Sequence, residues 1–368
     1  MAVDATTLLG RALQSGSISQ AIQCEFCKHW YIMPCTDNEQ EKCPNMIWLR
    51  SQGAVPAQQS FRHHYIPKFY SKRWGGEDFK ITEFSRPYKT LQARQVYPVQ
   101  TGFADRLYEM KGVPASAAQK VEDEFMKPVD SDAAVALELL ETEDSRIHTE
   151  PKYRSAWSQF LITLMIRTPK DLAVLAQALA DDWARDFPMF EKKYLSSRKP
   201  DEPATLQDFI DQKDPDFMAR WTIDYARELM NHDELGQLLN NLRWFVLTTK
   251  ADVPQFLTSD RPVVMSDTLT ADDSYLYLPL GPHRLFVAVT NAAAEERIRR
   301  FPSLELVEET NRLVTLQASK YVYGADKKAI EFVEKYFGKP GPKSLMERLR
   351  DHRNEKAKDS QNLAGGHS

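Results

Sequence analysis

RWFVLTTKADVPQFLTSDRPVVMSDTLTADDSYLYLPLGPHRLFVAVT, residues 243–290, decides the fold class. Within it RWFVLTT (Arg243–Thr249), QFLTS (Gln255–Ser259), PVVM (Pro262–Met265), YLYLPL (Tyr275–Leu280) and RLFVAVT (Arg284–Thr290) are short and rich in β-branched or aromatic residues. Turn residues separate them, so they predict a mostly antiparallel sheet in the C-terminal half. On the N-terminal side the period changes. Apolar residues recur at helical spacing from Ala115 to Leu140, from Tyr153 to Arg167, from Leu172 to Phe187 and from Phe217 to Met230, which predicts a helical middle region. On the C-terminal side a helix over Ser303–Ala318, a strand near Tyr321–Tyr323 and a helix over Lys327–Tyr336 are expected. Together these define an α+β domain spanning 61–338, with one further short strand over Phe79–Phe84. Residues 339–368 are polar and read as a flexible tail holding at most a short helix around Leu345–Leu349.

Further outward, SQGAVPAQQS (51–60) reads as a linker, and residues 1–50 hold every cysteine of the chain: Cys24, Cys27, Cys35 and Cys43. In CEFC the CxxC spacing lets two thiolates face one ion across a tight turn; Cys35 and Cys43, separated by seven residues and not a second CxxC, are the candidates to complete a four-thiolate shell, with His29 as a spare ligand. The first 20 residues lack a basic leader and a continuous apolar core, so the expected compartment is the reducing cytoplasm, where metal is favoured over disulfides. The expectation is a zinc-knuckle-like module with a structural zinc. Free thiols or a redox pair are the alternatives. CEFCKHWYIMP is also similar to the start of a CW-type zinc finger, through Cys24, Cys27, Trp30 and Pro34. That family spaces its later cysteines more widely, so its peptide recognition is not carried over.

Composition narrows the function classes. With 42% hydrophobic residues the chain of 368 residues can build a packed interior, and its longest apolar-rich run, Phe160–Ile166, is far too short to cross a bilayer. No membrane partner is expected. A formal charge of −4 and a pI near 6.1 supply no global field for a polyphosphate, so a nucleic-acid partner would need a local patch. P-loop, HExxH, GxSxG and GxGxxG motifs are absent from the sequence.

The phrase HHYIPKFYSKRW (63–74) resembles the opening of the bacterial family called domain of unknown function 4238, whose hallmark is His-x-x-Pro-x-x-Tyr followed by an aromatic residue. Here those positions are His64, Pro67, Tyr70 and Trp74. RTP (Arg167–Pro169), LTSDRPVV around Thr258, Ser259, Asp260 and Pro262, YLPLGPHRLFVAV and NRLVTLQASKYVYG resemble the later landmarks in matching order, over about residues 61–326. Ser71 stands where the family usually has an aliphatic residue. The resemblance implies continuity of fold and assigns no activity.

Two readings of these landmarks stay open. His64 and Asp260 are the candidate catalytic or metal-ligating pair, with Arg62, Lys72, Arg73 and Arg167 as anion-binding cations, which together would make a metal-dependent phosphodiesterase or nuclease. Alternatively Ile66, Tyr70 and Trp74 are a packing stripe, His64 is a structural histidine, Asp260 ties a turn and Arg167 is a helix C-terminal charge. The chain is then a binding or interaction protein with a protein or nucleic-acid partner. The second reading is preferred because no enzyme signature accompanies the landmarks.

Overall fold

A computed structural model describes the backbone of residues 22–23, 30–31 and 61–365. The chain divides into two units, Met1–Phe61 and Arg62–Ser368. In the first, β1 (Ile22–Gln23) pairs antiparallel with β2 (Trp30–Tyr31), Ile22 opposite Tyr31. The four cysteines lie outside the described residues, as does the 51–60 linker.

The second unit holds β3 (Arg62–His64), β4 (Ile81–Ser85), β5 (Gln92–Val96), β6 (Phe103–Asp105), β7 (Arg243–Thr248), β8 (Thr258–Ser259), β9 (Val264–Met265), β10 (Tyr275–Gly281), β11 (Arg284–Val289) and β12 (Val322–Gly324). They form two four-stranded antiparallel sheets, ordered β7-β11-β10-β9 and β5-β4-β12-β8, and the separate pair β3-β6. Helices over Lys127–Glu141, Pro151–Ile166, Pro169–Ser197, Leu206–Lys213, Phe217–Met230 and Asp233–Asn241 fill the middle of the chain. The fold is therefore mixed helix and antiparallel sheet.

The first sheet follows from the quoted stretch. RLFVAV is apolar at every position after the arginine because both faces of its strand are covered, and such strands lose the usual alternation. Leu276, Leu278, Phe286 and Ala288 join the main core with Trp157, Phe160 and Leu161. On the opposite face Leu285, Val287, Val289 and Phe245 pack with Ile298, Leu306 and Val307, which lie on the Ala292–Arg299 and Ser303–Gln317 helices.

Several boundaries differ from expectation, each for a local reason. Of QFLTS only Thr258–Ser259 pairs as strand, because the amides of Phe256 and Leu257 donate instead to Pro282 O and Asn311 Oδ1. The Ala115–Leu140 helix is interrupted by a π-helical turn over Val121–Met126. Pro169 opens the long Pro169–Ser197 helix as well as ending its predecessor, since a proline fits the first helical turn. The expected flexible tail is corrected in part. Its backbone is helical over Leu345–Gly365, and Met346 is buried in the main core.

Candidate functional site

The His-x-x-Pro-x-x-Tyr segment anchors one sheet to the other. Pro67 directs the chain into a short helix, Lys68–Ser71, followed by a 3-10 turn over Lys72–Trp74. Ile66, Tyr70 and Trp74 are all buried, as the packing-stripe reading expects. The Tyr70 hydroxyl donates to Pro279 O at 2.7 Å, so in its 2.7 Å bond with Thr258 Oγ1 the threonine is the donor. Trp74 Nε1 donates to Phe256 O at 2.7 Å.

The two histidines take opposite sides of β3, as strand alternation requires. His63 is fully buried. Its Nδ1 accepts from the Tyr108 amide at 2.9 Å, which places the proton on Nε2, donating to Gln119 Oε1 at 2.7 Å. Burial lowers its pKa from the ordinary 6.5, against the pull of the Gln119 bond. The His64 ring lies 5.5 Å from that of Phe103. Burial and then the Lys68 charge push its pKa down to about 3, although a backbone bond with Val99 favours the cation. Its Nε2 is buried without a hydrogen-bond partner among the described residues.

Arg167, the arginine of RTP, is 0% exposed. Burial opposes its charge, but Asp130 accepts from Nη1 at 2.8 Å and from Nη2 at 3.1 Å, and the net pKa is raised. Nη2 also donates to the His64 carbonyl at 2.9 Å. The guanidinium thus ties the helical region to β3, which is neither the open anion clamp nor the simple C-terminal charge considered for it. Nearby, Glu122 on the π-helical turn has its pKa raised to about 7 by burial, an effect that Arg167 offsets in part, and its Oε2 has no hydrogen-bond partner among the described residues.

Asp260 is a tie of longer range than an Asx turn. Its Oδ1 accepts from the Ser319 amide at 2.8 Å and its Oδ2 from the Lys320 and Tyr321 amides at 2.6 and 3.2 Å. Burial raises its pKa to about 6 against the pull of those amides. The group beside His64 that feels this carboxylate is Tyr65, whose pKa is raised by burial first and by Asp260 next. No hydrogen bond or ion pair joins His64 to Asp260 among the described residues. The other cations proposed for anion binding are dispersed in their bonding: Arg62 lies 4.9 Å over the Phe103 ring, Arg73 pairs with Glu141 at 2.9 Å, and Lys72 is exposed. Among the described residues no group of three or more His, Cys, Asp and Glu side chains is placed to hold a metal ion.

What the landmarks do bring together is the next pair. Arg261 follows Asp260, and Asp171 lies two residues beyond RTP. Thr168 caps the Pro169–Ser197 helix by accepting from the Asp171 amide at 3.1 Å, and its hydroxyl donates to Asp171 Oδ2 at 2.6 Å. Asp171 then accepts from Arg261 Nε at 3.0 Å and Nη2 at 2.5 Å. Arg261, 8% exposed, lines a cleft of about 410 Å³ together with Lys170, Lys339, Lys343, Glu347 and Arg350. Gln317 donates to Arg261 O and, at 3.0 Å, to Val263 O, and the cleft's Ala318–Ser319 wall is the segment Asp260 holds. Sequence reasoning passed over Arg261 and Asp171. The signal was the arginine already inside TSDRP.

The architecture and these ties define an α+β protein whose landmark residues build a scaffold of buried charges around a basic cleft. The family model described as Protein of unknown function (DUF4238) matches residues 62–328, well over half of the chain, and the protein belongs to that family. No curated protein and no solved structure matches significantly. Lys339, Lys343 and Arg350 lie beyond the matched residues, whereas Lys170, Asp171 and Arg261 lie within them.

Proposed function

We propose that this chain is a ligand-binding protein whose ligand sits in the Arg261 cleft, and that its N-terminal cysteines Cys24, Cys27, Cys35 and Cys43 close on a structural zinc. One observation carries the first part: a buried arginine held rigid by Asp171 still presents Nη1, which has no acceptor among the described residues, in a side chain that lines an open cleft. A preoriented donor of this kind favours binding because little order remains to be imposed. The groups that a phosphodiesterase would use are committed elsewhere. Asp260 is occupied by three amides, and the charges that act most strongly on His64 are the cations Lys68, Arg167 and Arg62. Among the described residues no helix is long and apolar enough to cross a membrane; the thiol-rich module favours the reducing cytoplasm as its setting.

Two measurements test this reading. Purified protein screened for divalent-metal-dependent phosphodiester cleavage should show no turnover; cleavage abolished by His64→Ala in a folded protein would reverse the ranking. Metal analysis should find zinc bound to the wild type and lost from Cys24→Ser, and metal-free wild-type protein would remove the zinc module.

A further inference from the structure

We infer that the ligand of the Arg261 cleft is a phosphate-bearing small molecule, its phosphoryl group held by Arg261 Nη1 and by Lys170, Lys339 and Lys343; this deepens, and rests on, the reading of the cleft as the ligand site. The charge balance selects an anion. The cleft walls carry five cations, Lys170, Arg261, Lys339, Lys343 and Arg350, against one carboxylate, Glu347. Arg261 and Asp171 neutralise each other, Lys170 sits 3.8 Å from Glu347, and Asp351 serves both Lys343 at 2.7 Å and Arg350 at 3.1 Å. Counting these three acids and Asp260, which acts on Arg261 from behind the Ser319 wall, five cations face four carboxylates, an excess of one. Lys339 has no ion pair among the described residues. A phosphomonoester, which carries about −1.5 to −2 at neutral pH, meets that excess and has oxygens enough to engage both the spare Arg261 donor and the lysines of the walls. Arginine also suits phosphate geometrically, since its fixed donors meet planar or tetrahedral oxyanions along defined directions.

The walls are fixed in advance. A side chain at Gly341 would meet Leu316 O at 2.6 Å, so the 338–344 loop lies directly on the end of the Ser303–Gln317 helix. Its last residue, Ser344, is bonded into the next helix, its Oγ accepting from the Glu347 amide at 3.2 Å. The first turn of the Leu345–Gly365 helix is not the anion site, because Glu347 already accepts from the Ser344 amide at 2.7 Å. Size favours a small molecule: about 410 Å³ exceeds what a single phosphate fills and lies within the roughly 300–1,000 Å³ typical of small-molecule sites.

Calorimetric titration of the full chain with inorganic phosphate, glycerol 3-phosphate, glycerol and a short oligothymidine separates the possibilities. Hydrogen-exchange mapping of a neutral fragment library at residues 316–319 and 338–344 runs alongside it. Expected are binding of the two small phosphates, the ester at least as tightly as free phosphate, and no binding of glycerol. Affinity should fall about tenfold or more in Arg261→Lys and in the exposed Lys339→Ala/Lys343→Ala double variant, with Lys89→Ala unchanged. Fragments that protect the cleft while both phosphates fail to bind would overturn the phosphate assignment and leave the cleft reading intact. No protection and no phosphate binding would overturn both. Oligothymidine binding more tightly than the monoester with the same variant pattern would replace the small molecule by a polymer and overturn the inference.

Discussion

Two buried arginines, Arg167 and Arg261, each make a two-bond pair with an aspartate and end in different roles. Arg167 spends Nη1 on Asp130 and shares Nη2 between Asp130 and the His64 carbonyl, deep in the interior. Arg261 meets Asp171 side-on through Nε and Nη2, and Nη1 is left over at a cleft. Residue type therefore does not separate a structural ion pair from a binding group. The face of the fork that the carboxylate occupies does, together with what lies beyond the remaining nitrogen.

The largest effect should come from breaking the interior pair. Asp130→Ala leaves the buried Arg167 charge uncompensated and should lower unfolding free energy by about 3–5 kcal/mol in urea titrations; a loss below about 1 kcal/mol would mean that the pair does not hold the helices to β3. Asp260→Asn comes next. It keeps one acceptor for the Ser319–Tyr321 amides and removes the charge, so a loss of about 1.5–3 kcal/mol is expected, along with weaker phosphate binding as the cleft wall loosens.

Glu122 supplies a pH-dependent comparison. Its folded pKa, about 7, lies above its ordinary value of 4.5 because of burial. The folded state therefore holds the proton more tightly than the unfolded chain, and the stability this group contributes is present below about pH 4.5 and lost as pH rises through about 7. Glu122→Gln should lack that loss, so its stability relative to wild type should rise between pH 5 and pH 8; a constant difference would place Glu122 in water. The smallest stability effect belongs to the Lys339→Ala/Lys343→Ala variant, which alters exposed side chains and should change unfolding by no more than about 0.5 kcal/mol while reducing phosphate affinity. A large loss of stability there would show that the 338–344 loop is held by those lysines and not by Gly341 against Leu316.

The parts of the fold that were legible share a strong apolar period. Strands β7, β10 and β11 and the Pro151–Ile166 helix announce themselves because burial demands apolar side chains at fixed spacing. β5 does not. QARQV is an edge strand with no buried residue, so no hydrophobic pattern marks it. The π-helical turn at Val121–Met126 has the same apolar content as a regular helix and was invisible for that reason.

At the site, sequence order identified the right segments and the wrong neighbours within them. Asp260 drew attention as a loop carboxylate between strands, yet its partners lie about sixty residues along the chain. The adjacent Arg261 acquires its role only through Asp171, ninety residues earlier.

The amino-acid sequence by itself determined the class of fold, the order of helices and strands and the family, because period and short ordered motifs are local properties of a chain. Only the tertiary structure decided which charges are spent and which are spare. That depends on hydrogen bonds between residues distant in sequence, and a guanidinium or carboxylate carries no mark in the sequence of whether its partner is protein or something still to arrive.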